Sequence, residues 1–148
     1  MQSIKLKIVT PEKLILEEEV YSVTLPGAAG EVTILPEHVP YVGMIKAGEL
    51  YFRRTPDAEP EPFATAGGFV EFHENTLSVL ADTAERPKEI DIKAAEEAHK
   101  RAEEVMKSRV SMDDEEYARV AAALEREFAR LKVARKHASK PRVSLGEE

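Results

Sequence analysis

The stretch Gly30-Glu31-Val32-Thr33-Ile34-Leu35-Pro36-Glu37-His38-Val39-Pro40, preceded by Gly27 and followed by Gly48, constrains the fold of this chain more than any other. Its two prolines and the glycines around it rule out a helix, because proline removes a backbone donor and glycine weakens helical order. The stretch is therefore expected to be a shaped connection between strands. From Ser3 to about Ala84 the pattern has period two: Ile4, Leu6 and Ile8 alternate with Ser3, Lys5 and Lys7, and Val20, Ser22 and Thr24 alternate with Tyr21, Val23 and Leu25. Turn signals at Thr10-Pro11-Glu12, Pro26-Gly27, Ala47-Gly48, Thr55-Pro56-Asp57 through Pro62, Ala66-Gly67-Gly68 and His73-Glu74-Asn75 leave segments of about 4–7 residues. Many short strands with close turns predict an all-β N-terminal sandwich or flattened antiparallel barrel. The segment Asp57-Ala58-Glu59-Pro60-Glu61-Pro62 is too acidic and proline-rich to pair and is expected as an exposed hairpin loop.

After Arg86-Pro87 the period becomes helical. Asp91 is a suitable N-cap, and Ala95, Ala98, Ala102 and Val105 follow at spacings of 3, 4 and 3 on one shallow face. Ser111-Met112-Asp113-Asp114 interrupts that face and offers Ser111 or Asp113 as the next cap, with Glu115 and Glu116 in the favourable first turn. A second helix is expected to turn Tyr117, Val120, Ala121, Leu124, Phe128 and Leu131 inward, opposite Arg119, Arg126 and Lys132, and to end near Ala134 or Lys136. Two helices with a short link predict a C-terminal antiparallel α-helical hairpin. Its alanine-lined stripe buries little apolar surface, so it can close on the sandwich or open against a partner.

Composition narrows the function. With no cysteine among 148 residues, disulfides, thiolate metal sites and a cysteine nucleophile are excluded, which fits a reducing compartment. No apolar run approaches the roughly 20 residues needed to cross a bilayer, and Met1-Gln2-Ser3-Ile4-Lys5-Leu6 runs into the strand pattern without a signal-peptide core. A soluble, unexported chain is expected, with membrane association only indirect. Residues 1–86 carry 7 Lys/Arg against 14 Asp/Glu, whereas 120–148 carry 7 against 4. An acidic front half disfavours nucleic acid, whose binding requires neutralised phosphates.

Signs of catalysis are weak. His38, His73, His99 and His137 lie far apart, with no recurring ligand spacing, so no metal site is expected. Asp113-Asp114-Glu115-Glu116 stands where capping residues belong, and Gly67-Gly68-Phe69 leads into a strand, so it presents no helix N-terminus to a phosphate. His38 reads as a loop residue that packs locally, and the basic run Arg119, Arg126, Arg130, Lys132, Arg135 and Lys136 as a solvated helix end.

Three blocks change that weighting. The Gly30 to Pro40 stretch, Ala66-Gly67-Gly68-Phe69-Val70-Glu71 and Leu80-Ala81-Asp82-Thr83-Ala84-Glu85, in this order, resemble the epsilon subunit of F-type (F1F0) ATP synthases, the small rotor subunit of the F1 sector, over the whole chain. The resemblance implies that Glu31, Leu35, Pro36, Glu37 and His38 contact the membrane-embedded c-subunit ring. It implies that other parts of the sandwich, with the helices, meet the gamma shaft. It further implies that the C-terminal helices reach the alpha/beta subunits and inhibit ATP hydrolysis, the basic face Arg119, Arg126, Arg130, Lys132 and Arg135 meeting an acidic segment of the beta subunits. Some members bind ATP through Ile/Leu-Asp followed two residues later by Arg-Ala. Here Ile90-Asp91-Ile92-Lys93-Ala94-Ala95 keeps Asp91 but has Ala94 at the arginine position. Asp91, Lys93, Lys100 and Arg101 then form at most a weak nucleotide site, and no cofactor is expected.

The expected organisation is a β-sandwich over 1–86 contacting gamma and the c ring, a regulatory helical hairpin over 87–138 and a disordered tail over 139–148. The expected function is a non-catalytic central-stalk subunit of a proton- or sodium-translocating synthase, at the cytoplasmic face of a bacterial membrane or the stromal side of a plastid thylakoid. The alternative is a β-sandwich adaptor, of secretion or chaperone type, whose hairpin binds a client helix.

Overall fold

A computed structural model describes residues 2–108 and 112–138. Eight strands come first: β1 Ile4–Val9, β2 Leu14–Val20, β3 Ser22–Gly27, β4 Gly30–Ile34, β5 Tyr41–Arg53, β6 Glu61–His73, β7 Thr76–Ala81 and β8 Ala84–Glu85. They join edge to edge in the order β2-β1-β7-β6-β5-β3-β4, with β8 added to β6. Neighbours are antiparallel except β1 and β7, which run parallel. One face of this folded sheet encloses a single core in which Ile4, Leu6, Ile8, Leu25, Leu50, Phe52, Phe63, Val70 and Leu77 are fully buried. The alternation of β1 explains the sandwich directly: Ile4, Leu6 and Ile8 point into the core while Lys5 stays in solvent.

Two glycine signals do not end strands. Gly48 lies inside the 13-residue β5, and Gly67-Gly68 inside the 13-residue β6. Gly67 and Gly68 take backbone angles that side chains rarely adopt, and Gly48 makes room for Pro26, whose Cβ would stand 3.1 Å from a Cβ there. Gly68 adopts φ +151°, and a Cβ there would stand 2.1 Å from the Leu80 carbonyl oxygen. Likewise Gly30 to Ile34 is an edge strand on β3, so only residues 35–40 form the connection. Glu61 and Pro62 also pair, with Phe52 and Tyr51, leaving 54–60 as the loop. β8 reaches only to Ala64 on the other side of β6, so Pro62 sits where a missing donor costs little.

A 3-10 turn at Pro87–Glu89 leads to α1, Ile92–Ser108, and then α2, Asp114–Ala138. Asp91 Oδ1 accepts the Ala94 N–H at 3.0 Å and Asp113 Oδ1 the Glu116 N–H at 2.8 Å, so each carboxylate caps its helix. Ser111 and the 139–148 tail lie outside the described residues. α2 runs to Ala138, two residues past the later of its expected ends, with Lys136 and His137 bonded to Glu49, and Val133 and Ala134 pack into a second cluster with Ala64, Ile90, Ala95 and Leu131. The inward face of α2 differs from the simple stripe. Tyr117 and Phe128 are exposed, Phe128 by 59%, while Glu127, Ala129, Leu131, Val133 and Ala134 are buried. Packing against both α1 and strands β5 and β6 explains this, since a helix wedged between two neighbours buries two stripes rather than one. The α1 stripe is deep at Ala95 and opens to solvent by Val105.

Candidate functional site

Loop 35–40 lies at one end of the sandwich. Its turn is closed by the His38 N–H donating to the Leu35 carbonyl at 3.1 Å, with Glu37 at φ +66°. The His38 ring stands edge-on to Tyr41 and Phe72, centroids 6.4 and 6.0 Å away, and its Nδ1 donates to the Val39 carbonyl at 2.7 Å. The local packing read from sequence is therefore real, yet Leu35 and Val39 remain exposed. Pro36, Glu37, His38 and Pro40 form one wall of a cleft of about 470 Å³, faced by His73, Glu74 and Asn75 of the β6–β7 hairpin. Gln2 Nε2 donates to Glu37 Oε1 at 3.0 Å, and the Asn75 side chain donates to the Ser3 carbonyl. Sequence reasoning marked His73-Glu74-Asn75 as a turn but did not place it beside this loop. A usable signal existed: Gln2 and Asn75 are the only glutamine and asparagine in the chain, and both join segments here. Glu31 is placed elsewhere, lining a separate cleft with Pro26, Lys46, Lys132 and Val133 beneath α2.

The basic residues of α2 do not share one face. At about 100° per residue Arg119, Arg126 and Arg130 form one stripe, and Lys132 and Arg135 fall on the other side. Arg130 forks onto Glu85 of β8 at 2.8 and 3.2 Å and also donates to Glu127 at 2.8 Å. Arg126 Nε reaches the other Glu127 oxygen at 3.3 Å, Arg135 pairs with Glu96 of α1 at 2.6 Å, and Lys136 and His137 meet Glu49 of β5 at 3.1 and 3.2 Å. Burial alone would lower the Arg130 guanidinium, but its bonds to Glu85 and Glu127 outweigh that and hold it above its ordinary value. Glu127, only 4% exposed, has both oxygens satisfied by arginine. Arg119 and Lys132 are exposed, Lys132 at the cleft that Glu31 lines.

Among the nucleotide candidates, Asp91 spends an oxygen on capping, and Lys93, Lys100 and Arg101 are exposed along α1. The groove beside the start of α1, about 610 Å³, is lined by Phe63, Arg86, Lys88, Ile90, Ile92 and His137 among others, and by none of the four. The described residues bring no three metal-ligating side chains together, and no helix among them is long and apolar enough to cross a membrane.

The register also assembles an apolar row. Met44 faces Phe69, Phe69 faces Leu80, Leu80 faces Val9, and Val9 faces Leu14, one residue from each of five adjacent strands on the outer side of the sheet. Met44, Phe69, Leu80 and Leu14 are 44–64% exposed. The neighbouring row, Val42, Glu71, Ser78, Lys7 and Glu17, is polar on four of its five strands and carries exposed Val42 on β5. Four strand spacings of about 4.8 Å make the apolar row about 19 Å long.

The architecture is thus a β-sandwich carrying a small docked helical hairpin. Two family models match it in succession: "ATP synthase, Delta/Epsilon chain, beta-sandwich domain" over residues 3–87 and "ATP synthase, Delta/Epsilon chain, long alpha-helix domain" over 88–135. The chain is 44% identical to the ATP synthase epsilon chain of Moorella thermoacetica, covering 90% of this chain and 98% of that one. It is 43% identical to the ATP synthase epsilon chain of Herpetosiphon aurantiacus, over 89% and 94%. It belongs to the ATP synthase delta/epsilon family, among the epsilon chains. The fold recurs in a chain of the Euglena gracilis mitochondrial ATP synthase, TM-score 0.74 at 23% identity, over 93% of this chain and 83% of that one.

Proposed function

We propose that the chain is the non-catalytic central-stalk subunit of a proton- or sodium-translocating F1F0 ATP synthase, with its 1–86 sandwich joining the gamma shaft to the c ring and its hairpin restraining ATP hydrolysis. The observation that carries this reading is the exposed apolar row Met44-Phe69-Leu80-Val9-Leu14. A sheet face with such a row beside polar neighbours is a binding surface in want of a partner. Its length suits an amphipathic helix of about 13 residues at 1.5 Å per residue, the element a shaft offers. Loop 35–40 lies at one end of the sandwich and suits a second partner: its prolines and tethers reduce the ordering cost of binding the ring. Arg119, Arg126, Arg130, Lys132 and Arg135 are the cations that would meet an acidic segment of the beta subunits once the hairpin opens. Location follows from the assembly: peripheral, on the cytoplasmic face of a bacterial membrane, with the stromal side of a thylakoid as the alternative.

Co-purification from the native membrane tests the two surfaces separately. Phe69→Lys with Leu80→Glu should lose gamma, whereas Pro36→Gly with His38→Asp should retain gamma and lose the ring. Retention of both partners by both variants would contradict the assignment and return the chain to the adaptor reading.

A further inference from the structure

The cationic end of α2 is held by carboxylates of the sandwich. Arg130 forks onto Glu85 of β8, and Lys136 and His137 converge on Glu49 of β5. These posts stand on different strands, and both bonds break when α2 leaves the sheet. Glu127 has a different part: it lies one turn before Arg130 on the same helix, is buried, and travels with it, so it aims the guanidinium at Glu85 without anchoring the helix. The apolar seam beneath is small, consisting of Ala64, Ile90, Ala95, Leu131, Val133 and Ala134.

We propose that Glu85 and Glu49 form an acidic clasp, an internal stand-in for an acidic partner surface, which holds the hairpin against the sandwich by occupying the cations that would otherwise engage that partner. This inference rests on reading the hairpin as a restraint on hydrolysis. Closure and engagement are then mutually exclusive for Arg130 and Lys136, because one guanidinium fork and one ammonium cannot serve two carboxylate sets at once. Loss of an acidic residue from the sandwich therefore strengthens inhibition, the reverse of what loss of a helix cation does. A ligand can shift such an equilibrium only by its differential contacts with the two states, and the clasp sets how large that difference must be.

Because the chain lacks cysteine, a label pair at Thr33→Cys and Ala118→Cys reports opening by electron-electron distance in the reconstituted complex. Both positions are exposed. Glu85→Gln should increase the open fraction, and Glu85→Gln with Glu49→Gln should increase it about tenfold, the factor two half-exposed ion pairs supply together. Glu12→Gln makes the same charge change at an exposed turn and should leave the distance distribution unaltered. A double variant indistinguishable from the parent would overturn the clasp. A shifted distribution with unchanged hydrolysis would keep the clasp and refute the restraint.

Discussion

The sandwich and the hairpin are held together by different forces. Within the sandwich, Phe52, Phe63, Ile4, Leu6, Ile8, Leu25 and Leu77 are fully buried in one continuous core. Each such side chain contributes about 1.5–3 kcal/mol of transfer free energy. At the base of the hairpin three of the six buried residues are alanines, and ion pairs to Glu85 and Glu49 of the sandwich add to that seam. A core of large apolar side chains has one arrangement. A shallow seam closed by ion pairs can part and re-form at modest cost, as the proposed restraint requires.

The widest separation between the two regions should appear on large-to-small substitution. Phe63→Ala should destabilise the sandwich by about 3–5 kcal/mol in urea unfolding. Leu131→Ala should leave the sandwich transition in place and increase hairpin opening. Equal losses in the sandwich transition would show that the two regions unfold as one. Heating extends the same contrast. Charged residues make up 33% of the chain, above the roughly 25% usual for soluble proteins, with one asparagine, one glutamine and no cysteine. The 1–86 domain should melt above about 65 °C, the upper end of the ordinary mesophile range; a calorimetric midpoint within that range would refute the expectation.

Nucleotide binding gives a smaller effect. With Ala94 at the arginine position and Asp91 engaged as a cap, titration calorimetry should find ATP binding weaker than about 10 μM, or roughly −7 kcal/mol. Tighter binding would mean that Lys93, Lys100 and Arg101 suffice without the arginine. The smallest effect belongs to the sandwich surface, where Lys5 and Glu17 pair across β1 and β2 at 2.9 Å. Hydrogen bonding and charge attraction raise Lys5 and lower Glu17 from their ordinary values. The Glu17 contribution is complete above the ordinary carboxylate value, about 4.3, and is lost as pH falls through its depressed one. That of Lys5 is complete below about 10.4 and is lost as pH rises through its elevated value. The small melting difference between the parent and Lys5→Gln should therefore vanish at both extremes; a difference that persists at pH 2 would exclude the ion pair as its cause.

Much of this was legible in the sequence. Period two in β1, the Asp91 and Asp113 caps and the change of period after Pro87 depend on neighbours a few residues apart, and local spacing records them. Gly48 and Gly67-Gly68 misled because a close approach or a positive φ inside a long strand calls for the same residue as a turn between two short ones. The apolar row was hidden for another reason. Met44, Phe69 and Leu80 look like core residues until the register shows that they face outward. Glu127 gave no signal at all, since a glutamate between Arg126 and Phe128 reads as a solvated position until the seam of the hairpin closes over it.

The basic residues of α2 can be separated by their bonding. Lys132→Ala removes an exposed cation with no part in the clasp, so it should weaken inhibition slightly; Arg126, Arg130 and Lys132 changed together should weaken it further. Added salt screens the clasp and the partner contact alike, so it should weaken inhibition most clearly in the Glu85→Gln, Glu49→Gln variant, which has no clasp left to release. The most direct test is steady-state ATP hydrolysis by the reconstituted complex carrying either the intact chain or residues 1–86 alone, with ion pumping measured in parallel. The account predicts faster hydrolysis with pumping retained in the truncated complex; hydrolysis that stays unchanged while coupling is intact would contradict it.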